Sequence, residues 1–90
     1  MKIVINKSYG LFEISDDFYK HYNISKKGPI TRRDSRLIEF IEKFGWRKAS
    51  GGYSHLAVVE IPKGAAYRIT EYDGAEDIEY RDEIEWLIAE

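Results

Sequence analysis

The sequence predicts a small α+β domain: a mainly antiparallel sheet, element order β-α-α-β-β-β, with two helices packed on one face. Three observations carry this reading. A β-branched run, Ile3-Val4-Ile5, opens the chain; an amphipathic stretch lies between Asp34 and Gly45; and Asp73-Gly74 separates two alternating segments near the end. At 90 residues there is room for one core, so residues 1–90 are read as a single domain. A hydrophobic content of 43%, with seven Tyr, four Phe and two Trp, is far above that of a disordered chain.

Residues 2 to 6 read as a short buried strand that stops at Asn6-Lys7. The apolar side chains of residues 8 to 14 follow on a loop broken by Gly10, and this loop is expected to tuck back onto the core. Ser15 then offers a hydroxyl to the free N–H groups of a helix from about Asp16 to about Tyr22, with Asp16 and Asp17 at the positive end of its dipole. Phe18 and Tyr22, four residues apart, form its inner side, and Lys20 points to water. Gly28-Pro29 bars any extension of that helix.

Asp34 is the expected N-cap of a second helix, Ser35 to Phe44, in which Leu37, Ile38, Phe40, Ile41 and Phe44 recur at helical spacing. Gly45 supplies its C-cap, and Trp46, just beyond, reads as a core or interface residue. Residues 49 to 54 contain Gly51-Gly52 and are expected to be a loop and the chain's hinge. His55 to Ile61 is a strand ended by Pro62, and residues 67–72 and 76–80 are the arms of a hairpin about Asp73-Gly74. Residues 82 to 90, with Trp86, fit either a helix or a last strand.

Charge is divided between the halves. Residues 1 to 50 carry net +5 and residues 51 to 90 net −7, within a total of −2. Lys26, Lys27, Arg32, Arg33, Arg36, Arg47 and Lys48 bracket the second helix as a candidate basic surface, with Tyr9 and Tyr53 available to stack on a base. Glu71, Asp73, Glu76, Asp77 and Glu79, followed by the acidic tail, form a candidate acidic interaction surface on the hairpin. An ordinary hydrated face remains the alternative for each.

The absence of cysteine removes disulfides, thiolate metal sites and thiol nucleophiles. His21 and His55 are the only imidazoles, and neither sits in a His-x-x-x-His or Glu-x-x-His spacing, so no metal or cofactor is expected. Adjacent carboxylates, Asp16-Asp17 and Glu76-Asp77, diverge in a helix or strand and make no catalytic dyad. His55 beside Ser54 lacks a nucleophile elbow, and Tyr9-Gly10 lacks the repeated glycines of a phosphate loop. No catalytic residue is assigned. The short apolar start of the chain is neither a signal peptide nor a membrane span, which makes a cytoplasmic location the expectation.

Taken together, Ile5-Asn6-Lys7-Ser8-Tyr9-Gly10, Ile14-Ser15, Arg33-Asp34, Val58-Val59-Glu60-Ile61-Pro62 and Ile69-Thr70-Glu71-Tyr72-Asp73-Gly74 resemble an uncharacterised family of small proteins of bacteriophages, prophages and bacteria. Where that family has a Cys before Tyr-Gly and a second Gly after it, this chain has Ser8 and Leu11. The resemblance implies an origin and no mechanism.

The expectation is therefore a small non-enzymatic accessory protein that binds a host macromolecule, as an inhibitor or adaptor. The alternative is a nucleic-acid-binding module using Arg32, Arg33, Arg36, Lys48 and Tyr53. A third reading, a small-ligand site or enzyme, requires Tyr9, Arg33 and His55 to converge in one cleft. A homodimer with Trp86 at its seam is also expected for so small a chain.

Overall fold

Ile3, Val4 and Ile5 are all buried, although neighbouring side chains of a strand point to opposite faces. The strand they belong to is therefore covered on both sides. In the computed structural model, which describes residues 1–26 and 28–81, β1 (Lys2–Asn6) pairs antiparallel with β2 (Leu56–Glu60), Val4 opposite Val58. Val4 turns toward the helices, in a core with Phe18, Leu37, Phe40, Ile41, Ala49 and Leu56. Ile3 and Ile5 turn the other way, joining Ile61, Val59, Ile69 and Ile78. The β1–β2 ribbon is thus a middle layer, with helices on one face and β3 (Tyr67–Tyr72) and β4 (Ala75–Tyr80) on the other.

The α+β class holds, and the predicted order of strands and helices holds apart from one added short helix. The four strands divide into two two-stranded sheets, β1-β2 and β3-β4, because residues 61–66 cross from one layer to the next instead of extending one sheet.

Helix α1 (Asp16–Tyr22) starts as the sequence predicts, with Ser15 Oγ accepting the Phe18 N–H, and it closes at Asn23 in the left-handed conformation. Phe18 is fully buried, edge-on to Phe40 at 5.7 Å. Helix α2 (Ser35–Phe44) starts at Asp34, whose Oδ1 accepts the Arg36 N–H at 2.8 Å, and ends at Gly45 with φ +89°. A third short helix, α3 (Trp46–Ala49), follows at once. It buries Ala49, whereas Trp46 is 37% exposed and lies on the surface, with its ring stacked on His55.

The predicted hinge at Gly51-Gly52 is instead a fastened crossing. Ser15 N–H donates to Ala49 O, Gly51 N–H donates to Glu13 O, and Ile14 bridges Ser50, so residues 13–15 run antiparallel to 49–51. A Cβ on Gly51 would stand 2.9 Å from the Ile14 carbonyl, so the glycine is there for close approach. The predicted hairpin forms with a two-residue turn, Asp73-Gly74, both at positive φ. Of the loop after β1, Phe12 and Ile14 pack on the core as expected, but Tyr9 and Leu11 do not.

Among the described residues no helix is long and apolar enough to cross a membrane. The expectations for residues 82 to 90, the Trp86 seam among them, and for Lys27 lie outside the described residues.

Candidate interaction surface

One polar side chain at the end of β1 organises the loops around it. Asn6 is fully buried, and its Nδ2 donates to Gly10 O at 3.2 Å and Gly74 O at 3.1 Å. Its Oδ1 accepts from Ser8 N–H at 3.2 Å and His55 N–H at 2.9 Å. Its amide therefore satisfies four backbone groups from three separate segments, using both donors and both lone pairs. The backbone N–H of Asn6 donates to Glu76 Oε1 at 2.7 Å, which ties β4 to the end of β1.

Glu76 is also held by Arg32. The guanidinium Nη1 and Nη2 meet the two carboxylate oxygens at 2.6 Å each, and Nη1 reaches Val4 O at 3.1 Å. Phe12 lies under the guanidinium, 4.4 Å from ring centre to Cζ. The Arg32 carbonyl accepts the Val4 N–H, so this segment also covers the outer edge of β1. A bidentate pair with one carboxylate only 9% exposed is a structural clamp between layers.

These contacts press residues 8–12 against the hairpin turn. Gly10 N–H donates to Asp73 O at 2.9 Å, and a Cβ on Gly74 would overlap the Gly10 carbonyl. Three apolar side chains are left facing solvent around the junction: Tyr9 at 66%, Leu11 at 84% and Tyr72 at 75% exposure. Tyr9 and Leu11 flank Gly10, and Tyr72 immediately precedes Asp73, so the three residues adjoin this backbone contact in the chain, with Leu11 beside Ile69 and Glu71 in a shallow cleft. Exposed acidic groups at Glu71 and Asp73 lie beside it.

The predicted basic surface does not form as one site. Arg32 is spent on Glu76, and Arg36 is paired with Asp34. Lys26 is paired with Asp16, and its side chain lowers the Asp16 pKa by hydrogen bond and charge. Arg33 lines a shallow groove with Lys2, Ile38 and Glu42, near the start of β1. Lys48 sits at the other end of α2, which at about 1.5 Å per residue is roughly 15 Å long. Tyr53 is 91% exposed at the tip of the 50–54 crossing.

Nor do Tyr9, Arg33 and His55 converge. Tyr9 and His55 are at the Asn6 end of β1, whereas Arg33 shares its groove with Met1 and Lys2 at the opposite end. The acidic group is likewise divided: Glu76 is an interior clamp, Glu79 pairs with Arg68 at 2.7 Å, and Glu71 accepts the Gly74 N–H at 2.7 Å within the turn. Asp77 remains exposed and accepts its neighbour's N–H, Ile78.

Comparison with family models, curated proteins and solved structures finds no match. The surface is therefore interpreted from its own chemistry. Asn6, Leu11 and Tyr72 are the participants that sequence reasoning missed. The available signal was a carboxamide ending the apolar run Ile3-Val4-Ile5, where water is excluded and each polar atom needs a partner.

Proposed function

We propose that this chain is a non-enzymatic accessory protein of phage or prophage type that binds a host protein through the seam of Tyr9, Leu11 and Tyr72. The observation that carries the reading is the exposure of these three side chains on a backbone locked by Asn6, Gly10 and Gly74. Large apolar groups on a rigid support lose little conformational entropy on binding, and Tyr is enriched among residues that dominate protein interfaces. The origin rests on the motif resemblance alone. The matching partner surface has an apolar pocket rimmed by basic groups, complementary to Glu71 and Asp73.

The test is affinity capture from bacterial lysate with nuclease treatment, comparing the native chain with the triple variant Y9S/L11S/Y72S. A protein retained by the first and lost by the second, with equal melting temperatures for both baits, supports the reading. Capture that survives the triple substitution, or that disappears with nuclease, rejects it.

A further inference from the structure

The corner between α2 and α3 presents different chemistry. Gly45 turns the chain there, leaving Phe44 39% and Trp46 37% exposed on either side of it. Lys43 Nζ lies 5.5 Å and Lys48 Nζ 5.9 Å from the Phe44 ring centre, and the His21 ring meets Phe44 edge-on at 5.2 Å. Arg47 lies 5.4 Å from the Trp46 ring, and His55 stacks on that ring at 3.7 Å with 20° between planes. Two aromatic rings are thus bordered by two lysines, an arginine and two imidazoles, drawn from α1, α2, α3 and the residue before β2.

These cations differ from several others in the chain. Lys2, Lys26, Arg32, Arg36 and Arg68 each meet a carboxylate, whereas Lys43, Arg47 and Lys48 form no ion pair among the described residues. They rest on rings instead, which orients them without neutralising them. A ligand suited to the corner carries regularly spaced negative charge and flat faces that can reach a partly exposed ring.

We propose that the α2–α3 corner binds single-stranded nucleic acid, with phosphates on Lys43, Arg47 and Lys48 and a base against Trp46. Duplex nucleic acid offers the same phosphates but keeps its base faces stacked, so the aromatic component selects the single strand. The +5 charge of residues 1–50 supplies the attraction, and the −7 of the remainder turns that half away from the strand. This site shares no residue with the seam of Tyr9, Leu11 and Tyr72, so the two proposals stand or fall separately.

The test uses the full chain and a fluorescein-labelled oligo(dT), read by anisotropy at low and rising salt. Three neutralised phosphates predict a slope of about −2 in log affinity against log salt. K43E/K48E and, separately, W46L are expected to weaken binding about tenfold or more. K63E, which places one such charge reversal beyond the other end of β2, and Y9S/L11S/Y72S are expected to leave it intact; circular dichroism checks each fold. No anisotropy change at 25 mM salt overturns the proposal, as does binding that K43E/K48E leaves unchanged. Equal competition by duplex, heparin or polyglutamate, together with indifference to W46L, overturns the single-strand assignment in favour of simple polyanion attraction.

Discussion

Arg32 and Glu76 are 44 positions apart in the chain and meet through two parallel hydrogen bonds of 2.6 Å. They join the segment that covers the β1 edge to the strand on the opposite face of the β1–β2 ribbon. R32M removes the cation and leaves Glu76, 9% exposed, without its counter-charge. Because Arg32 itself is about a third exposed, the expected loss is about 2 to 3 kcal/mol, below the range for a fully buried pair. Urea unfolding of R32M, and of R32M/E76M, checks this; the double variant is expected to recover part of the loss.

Asn6 carries a second prediction. N6L keeps the branched outline but leaves two carbonyls and two N–H groups without their partner, and at about 1 kcal/mol or more for each unsatisfied group the expected loss exceeds 3 kcal/mol. In hydrogen exchange, the amides of Ser8 and His55 are expected to lose protection before those in the middle of β1. Uniform loss across the sheet would contradict the role of Asn6 as an organiser of loops.

Gly74 and Gly64 have nearly the same φ, +90° and +83°, in different surroundings. G64A meets open space, so only the left-handed conformation is penalised, about 1 kcal/mol. G74A has that penalty and a collision with the Gly10 carbonyl, so it is expected to cost at least about 2 kcal/mol more and to release residues 8–12. Thermal melts of the two variants side by side give the comparison.

Asp34 sets a pH dependence. The hydrogen bond from the Arg36 side chain, aided by backbone N–H groups, holds its carboxyl below the ordinary value of 3.8. The unfolded chain therefore binds this proton first on acidification. The stability contributed by Asp34 is present above pH 3.8 and is lost as pH falls through the lower folded value. D34A is expected to cost about 1 kcal/mol near neutrality through loss of the cap, whereas D34N keeps the cap and flattens the acid limb. Unfolding curves from pH 7 to pH 2 for the three chains check this.

Local rules read well from the sequence because their causes are local. Ser15 and Asp34 cap helices through bonds spanning two or three residues, and Asp73-Gly74 makes its turn from its own dihedral preferences. The candidate site was much less readable. The sequence marks Tyr9 for stacking, but it places the companions Leu11 and Tyr72 in a tucked loop and an ordinary strand. Their exposure follows from Gly10 lying against Gly74, 64 positions away, which no periodicity encodes. Likewise, net charge places cations in one half of the chain but does not say which of them a carboxylate will take.

Apart from the short α3, the order and kind of elements, the ends of α1 and α2 and the hairpin were determined by the sequence itself, since propensity, capping and turn chemistry act within a few residues. Tertiary structure alone decided that β1 would be covered on both faces and that Glu76 would become a clamp instead of surface charge. It also decided that Lys43, Arg47 and Lys48 would form no ion pair among the described residues and would lie beside exposed rings. The reason is physical: burial, ion pairing and close backbone approach depend on which distant segments share space, and that is set when the layers close over the β1–β2 ribbon.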